Sequence, residues 1–237
     1  MIQTYSMIFW ARPYKMSADE MADISYQILK ELNDYGDELS PKYIPGRKKS
    51  EAKEFDLSRE NVKQLLDENV DTEGYAVFEE PGRSLGFFSS YKEELSSGIR
   101  INIGISSSRF NNTLVVNLPY GGFSGFDVRR DDFEKLFKKI VTIFNPYFAF
   151  VSNNLNEQLS DLFWENDRPT FVHWLNYYSA STAKKIKMKQ ILKSDQCECI
   201  AFNNDYYLKL QEEPINIDIP DHLELQRLIS LQLGLLK

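Results

Sequence analysis

Alternating hydrophobicity between Ser84 and Pro119 constrains the fold more than any other part of the chain. The odd positions of 99–105 are all isoleucine, whereas the even positions carry arginine, asparagine and glycine. Leu114, Val116 and Leu118 repeat this spacing of two before Pro119 ends the run. A period of two is typical of a strand with one buried face. The segment therefore predicts three consecutive antiparallel strands, joined by polar turns such as Asn111-Asn112, with one core face and one wetter face.

Amphipathic helices are predicted on both sides of this meander. Ser17 and Glu20 form a capping box that starts a helix, and Gly36 closes it. Further predicted elements are an opening strand at 2–11, a helix from Ser58 to Asn69, a strand at Tyr75–Glu79, a helix from Asp131 or Asp132 to Phe144, a strand at Phe148–Val151, a helical piece at Leu155–Phe163, a strand at Phe171–Tyr178, a basic helix from Ser181 or Thr182 to Lys193, a hairpin over 197–210 and a helix over 221–236. The expected fold class is α+β, with a mainly antiparallel sheet flanked by amphipathic helices and a C-terminal helical tail.

Length and composition fit a single packed core. The chain has 237 residues, and its 14% aromatic content, with 16 Phe and 13 Tyr, indicates a core built on rings. One α+β domain over 1–237 is the preferred prediction. A subdivision into 1–146 and 147–237 stays open.

The charge balance limits the classes of partner. With 28 Lys+Arg against 35 Asp+Glu, the formal net charge is −7, which argues against a protein that coats nucleic acid or an anionic membrane. A basic protein partner suits this charge better. The N-terminus lacks the pattern of a signal peptide, no apolar run approaches the ~20 residues of a bilayer span, and only two cysteines occur. The expected compartment is therefore the cytoplasm.

Residues with catalytic or metal-binding chemistry are few. His173 lies in a predicted strand and His222 at a helix start, and neither accompanies a Ser, Cys or zinc motif. Cys197 and Cys199 supply two thiols where a structural zinc needs four ligands, so buried free thiols are expected. We therefore expect no enzyme and no cofactor. One alternative is an enzyme that uses carboxylates beside the glycine loop with a divalent cation, namely Asp127, Asp131 and Asp132.

Turns and the wetter strand face provide the candidate partner-binding residues. Rings offer contact area and carboxylates offer charge, which together suit contact with a basic protein. The candidates are Glu79, Glu80, Arg100, Asn102, Tyr120, Phe123, Asp205, Tyr206 and Tyr207.

The order of several short motifs resembles the bacterial polymorphic-toxin immunity proteins of the immunity protein 52 family. These motifs are Phe9-Trp10-Ala11-Arg12, Ser17 to Glu20, the basic proline loop Pro41 to Lys49, Leu85 to Phe87, Gly104 within a strand, and Asn112 to Pro119. The resemblance covers residues 5–119, with Ala11 where the family usually has glycine, and residues 150–237 carry no family signature. In this resemblance, Trp10 and Arg12 correspond to the signature residues of the family.

This resemblance implies a small cytoplasmic protein that binds a cognate toxin and blocks its active site or another necessary surface. Many toxins of this kind are nucleases, whose basic clefts would attract a protein of negative charge. A phage-related interaction domain without an inhibitory role is a further alternative.

Overall fold

A computed structural model describes residues 2–69, 71–73, 76–78, 82–157, 164–165, 168–192 and 194–236. The chain divides into two compact units, one comprising Phe9–Asn145 and the other Met1–Ile8 together with Pro146–Lys237. A single domain over 1–237 stays a prediction. None of the helices in the described part of the chain is both long and apolar enough to cross a bilayer.

The predicted meander is present in the unit Phe9–Asn145. Strands up to this point of the chain are β1 (Tyr5–Ala11), β2 (Tyr43–Ile44), β3 (Lys53–Glu54), β4 (Asp71–Glu73), β5 (Ala76–Phe78), β6 (Arg83–Phe88), β7 (Gly98–Ile103) and β8 (Asn112–Asn117). The neighbours β8-β7-β6-β2-β3 are antiparallel, and Ile101 lies opposite Leu85 on one side and Leu114 on the other. The three-strand prediction is confirmed.

Three helices of this unit begin and end near the predicted signals: α1 (Ala18–Tyr35), α2 (Arg59–Glu68) and α3 (Arg130–Phe144). The capping box of α1 is formed, since the Glu20 amide donates to the Ser17 hydroxyl at 3.2 Å and the Ser17 amide donates to the Glu20 carboxylate at 2.8 Å. Gly36 is the C-cap of α1. α3 ends where Asn145 adopts the left-handed conformation, with φ of 49°.

The helices cover the isoleucine face of the meander. Ile101 is fully buried, and the Phe9 ring of β1 lies 5.3 Å from the Phe137 ring of α3. Gly104 departs from the prediction, because it is buried and follows the end of β7 instead of facing solvent on a longer strand. Its φ is +77°, and a β-carbon there would collide with the Met21 sulfur of α1. The alternation therefore stops at Ile103.

Asn112 also differs from its predicted place in a turn. It is fully buried and begins β8, while the turn lies at 107–110, where the Phe110 amide donates to the Ser107 carbonyl. The Asn112 side chain accepts from the Ile105 amide at 2.9 Å and donates to the Arg12 carbonyl at 2.9 Å. A buried amide needs such partners, and these two tie the strand ends together.

The second unit has its own antiparallel strands, in the order β13-β14-β12-β9. The hairpin prediction is confirmed, because Asn203 and Asn204 join β13 to β14 with φ of 51° and 69°, the conformation of a tight hairpin turn. The elements are β9 (Phe148–Asn153), α4 (Asn154–Glu157), β10 (Trp164–Glu165), β11 (Arg168–Pro169), β12 (Leu175–Tyr178), α5 (Ala180–Ala183), α6 (Met188–Ile191), β13 (Glu198–Phe202), β14 (Asp205–Lys209) and α7 (Pro220–Gln232).

Two elements of this unit are shorter than predicted. β12 excludes 171–174, because the Asn176 side chain accepts from the His173 amide and donates to the His173 carbonyl, both at 2.8 Å. The basic helix is capped by Ser179, and it is interrupted by turns at 184–187. Of the predicted helix over 155–163, the described residues show only α4. The α+β class with a C-terminal helix is confirmed.

Candidate functional site

A groove of about 820 Å³ lies along the polar side of the meander. Its floor is a row of residues from three adjacent strands, because the register places Ser84 of β6 opposite Asn102 of β7, and Asn102 opposite Thr113 of β8. These side chains are half-buried or exposed, whereas their chain neighbours Ile101, Ile103 and Leu114 are buried on the other side. The alternation read from the sequence thus produces the floor.

The polar groups of the floor hold one another in place. The Asn102 amide donates to the Thr113 hydroxyl at 2.7 Å. Trp10 of β1 lines the groove as a half-buried ring. An indole beside amide and hydroxyl groups can contact both apolar and polar parts of a bound segment.

Loops and a helix end form the rim. Arg109, Phe110 and Asn111 come from the β7–β8 connection, and the Phe110 ring is 60% exposed. Glu68 and Asn69 come from the end of α2, where the Asn69 side chain donates to the Leu65 carbonyl at 2.9 Å. This hydrogen bond caps the last turn of α2 and so holds this part of the rim in place.

The electrostatic character of the groove is basic. Arg83 and Arg109 line it, and Arg100 lies exposed on the same face of β7, two residues from Asn102. Arg83 donates to the Gly82 carbonyl at 3.0 Å, and none of these three guanidinium groups forms an ion pair with any residue in the described ranges. Glu68 is the acidic residue among the lining side chains.

The structure brings three of the sequence candidates to this face: Trp10, Asn102 and Arg100. Arg12 contributes its backbone carbonyl to the Asn112 side chain. Tyr120 is 39% exposed on the loop after β8. Glu79 and Glu80 lie outside the described residues.

Phe123 occupies an internal position, in contrast to the surface role expected for it. It is 7% exposed, and its ring lies 5.4 Å from that of Phe133 and 6.2 Å from that of Tyr35. The glycine loop is held as well, because the Ser124 hydroxyl donates to the Glu38 carboxylate at 2.9 Å. The ring therefore anchors the loop, since edge-to-face aromatic packing stabilises a buried ring.

The candidates of the other unit surround Asp205. Its carboxylate accepts from the Tyr177 hydroxyl at 2.8 Å and from the Ala180 amide at 2.7 Å. Burial, together with the Asp205 charge, raises the pKa of Tyr177. The Tyr207 ring lies 5.3 Å from the Tyr177 ring, and Tyr206 is half-buried. Asp205 thus has internal partners for both oxygens, which gives it a structural role in this hairpin.

Two of the three carboxylates considered for catalysis have other partners. Asp127 accepts from the Val128 amide at 2.6 Å, and Asp132 pairs with Lys135 at 3.3 Å. No group of three or more His, Cys, Asp or Glu side chains in the described ranges is arranged to hold a metal ion.

The histidines and cysteines occupy packing positions. Burial lowers the pKa of His173 to about 3, and its ring is stacked on Phe150 with centroids 4.1 Å apart. His222 accepts from the Asn216 amide at 3.1 Å through Nδ1. Cys197 and Cys199 are free and half-buried, and burial raises the pKa of each to about 11, so they are poor thiolate donors.

No protein-family model and no curated protein matches the chain. Among solved structures, the chain is similar to Pseudomonas aeruginosa T6SS protein PA0821. The TM-score is 0.68 at 12% sequence identity, over 99% of this chain and 73% of that chain. At this identity the likeness concerns the fold.

Sequence reasoning missed most of the groove's rim. Arg83 is 26 positions away from the pair Arg109-Phe110 in the sequence, and nothing local distinguishes these residues from ordinary turn residues. The parity of β7 indicated Asn102 and Arg100, but only the pairing of β6, β7 and β8 shows which residues share their row. Knowledge of that register is the signal that could have found Ser84 and Thr113.

Proposed function

We propose that this chain is a non-enzymatic immunity protein that binds and neutralises a cognate bacterial toxin by covering a surface the toxin needs. The proposed place of action is the cytoplasm, and a nuclease is the first toxin class to test. The proposal is based on the resemblance of the motifs in residues 5–119 to those of the immunity protein 52 family. The similarity in fold to a T6SS protein supports it, because that protein's name links it to a secretion system.

The observation that carries the proposal is the groove on the meander. It combines a half-buried Trp10 ring, an exposed Phe110 ring and the polar row of Ser84, Asn102 and Thr113. Aromatic and arginine side chains beside satisfied polar groups are the composition of protein-binding hot spots. The floor lies on paired strands, so partner contact would require little reordering of the backbone.

Charge supports the same proposal at longer range. The formal charge of −7 would speed the approach of a basic toxin, and this effect would weaken as salt screens it. A toxin whose association rate does not change with salt would not fit this expectation.

Co-expression tests the proposal directly. If the adjacent upstream reading frame encodes a long secreted protein, the candidate toxin is its variable C-terminal domain, and the expected result is restored growth together with a 1:1 complex by calorimetry. Ser84→Trp should block the groove floor, where Ser84 is exposed. Thr142→Trp, at an exposed position of α3, is the matched control and should retain rescue. Lack of binding and rescue by the wild-type chain would refute the pairing, and equal rescue by both variants would place the interface elsewhere.

A further inference from the structure

We infer that the groove binds an extended acidic segment of its partner, whose carboxylates are held by Arg83, Arg100 and Arg109. The identity of that partner as a toxin rests on the proposed function, whereas the chemistry of the segment rests on the groove itself. The local charge here is opposite to that of the chain as a whole.

Arg83, Arg100 and Arg109 differ from other arginines of the protein in their ion pairs. Two arginines elsewhere on the protein have carboxylate partners: Arg59 contacts Asp23 at 2.5 Å and Arg227 contacts Glu224 at 2.7 Å. Within the described residues, the arginines of the groove have none. In a chain with more acidic than basic residues, arginines that line or adjoin a groove and form no ion pair with any described residue indicate a site for an external anion.

Arg100 has no polar side chain opposite it on either neighbouring strand. Its cross-strand neighbours are Gly86 on β6 and Val115 on β8, and neither has a polar side chain that could accept from it. The guanidinium group therefore faces solvent above an apolar row, next to the polar row of Asn102. A carboxylate reaching this point could form a bidentate pair with Arg100.

The two aromatic rings of the groove favour a bound peptide that carries apolar as well as acidic side chains. Trp10 and Phe110 both line the groove, whose volume of about 820 Å³ exceeds what one carboxylate needs. An extended peptide with alternating acidic and apolar side chains would place carboxylates on the arginines and apolar groups on the rings. This pattern distinguishes the proposed occupant from a free anion.

A nucleic acid would also offer negative charge, but two observations favour the peptide. The net charge of −7 repels a long polyanion more than a short acidic segment. The groove also supplies amide and hydroxyl groups from Asn102 and Thr113, which suit a peptide backbone.

Fluorescence anisotropy on the full chain tests the inference. The probe is a fluorescein-labelled peptide of alternating Glu and Val, compared with the same peptide carrying Gln for Glu and with a labelled oligothymidine. We expect the Glu peptide to bind at least about tenfold more tightly than either comparison probe. Equal binding of the Gln peptide, or tighter binding of the oligonucleotide, would overturn the inference.

Charge variants then locate the site. Arg100→Glu is expected to weaken binding of the Glu peptide by at least about tenfold, and the neutral variant Arg100→Gln by a smaller factor. Lys184→Glu, at an exposed site of the other unit, makes the same change in charge and should leave the affinity within about twofold. An equal loss in both Glu variants would mean that only net charge matters, which would overturn the inference. Thermal melts confirm that each variant is folded.

Failure of this inference can be separated from failure of the proposed function. If the toxin binds the wild type and Arg100→Glu with equal affinity, the acidic-segment inference is wrong and the immunity function stands. If the Glu peptide binds through Arg100 but no toxin is neutralised, the groove inference stands and the immunity function is wrong.

Discussion

The side-chain amide of Asn102 donates a hydrogen bond of 2.7 Å to the hydroxyl of Thr113, across directly opposed positions of β7 and β8. Both residues lie on the polar face of the meander, so this pair orients the groove floor. Cross-strand polar pairs of this kind contribute modestly to stability, but they fix side-chain direction.

A double-mutant cycle measures this pair. Asn102→Ala and Thr113→Val together should cost less than the sum of the single changes, because each single change already removes the bond. We expect a coupling of about 0.5–1 kcal/mol in the free energy of unfolding, from urea titration. Purely additive effects would show that the bond contributes nothing to stability in solution.

Trp10 and Phe9 are consecutive residues on opposite faces of β1. Phe9 is fully buried against α3, so Phe9→Ala should destabilise by about 3–5 kcal/mol, whereas Trp10→Ala should cost about 1–3 kcal/mol because its ring is only half-buried. Denaturant unfolding gives both values. Binding assays on folded protein should show the reverse order, with the larger loss of partner affinity for Trp10→Ala, and a larger loss for Phe9→Ala would contradict the groove as the interface.

Gly104 and Gly122 form a matched pair for a test of packing. Their φ values are +77° and +76°, but a β-carbon at Gly104 would collide with Met21, whereas one at Gly122 meets nothing within 4 Å. Gly122→Ala should cost only the left-handed strain, about 1–2 kcal/mol. Gly104→Ala should cost about 1–3 kcal/mol more from overpacking. Calorimetric melting measures both, and partial recovery of the Gly104 variant by Met21→Ala would identify the collision as the cause.

His173 predicts a pH dependence of stability. Its pKa falls from 6.5 to about 3 on folding because burial disfavours the charged ring, so the unfolded chain binds more protons between these values. The stabilisation is complete above pH 6.5 and is lost as pH falls toward 3, at up to about 1.4 kcal/mol per pH unit.

The variant His173→Phe isolates this contribution from that of the carboxylates. Its unfolding free energy should change less than that of wild type between pH 6.5 and pH 4.5, a range chosen above the titration of most acidic groups. Identical slopes in wild type and His173→Phe would show that His173 does not titrate as described.

Features whose causes are local could be predicted from the sequence. The capping box of Ser17 and Glu20 is satisfied within one helical turn, and the Asn203-Asn204 turn needs only residues that tolerate positive φ. The alternation of apolar and polar residues at 99–103 likewise predicts which face of β7 is buried, and this prediction does not depend on which elements cover that face.

Features fixed by distant partners could not be predicted. Asn112 resembles a turn residue, yet its side chain bonds to the Arg12 carbonyl, 100 positions away. His173 fits a strand pattern, but its backbone amide and carbonyl form hydrogen bonds with the Asn176 side chain instead of with a neighbouring strand. The groove depends on the same kind of information, because strand pairing decides that Ser84, Asn102 and Thr113 share a row.

The two compact units differ in how their chain segments are ordered. Phe9–Asn145 is one continuous stretch, whereas the other unit joins Met1–Ile8 to Pro146–Lys237. The Gln3 amide donates to the Asn216 side chain at 2.6 Å, a contact that spans 213 positions. During synthesis the continuous unit can therefore fold once residue 145 has left the ribosome, whereas Met1–Ile8 can join the rest of its unit only after Pro146–Lys237 has also been synthesised.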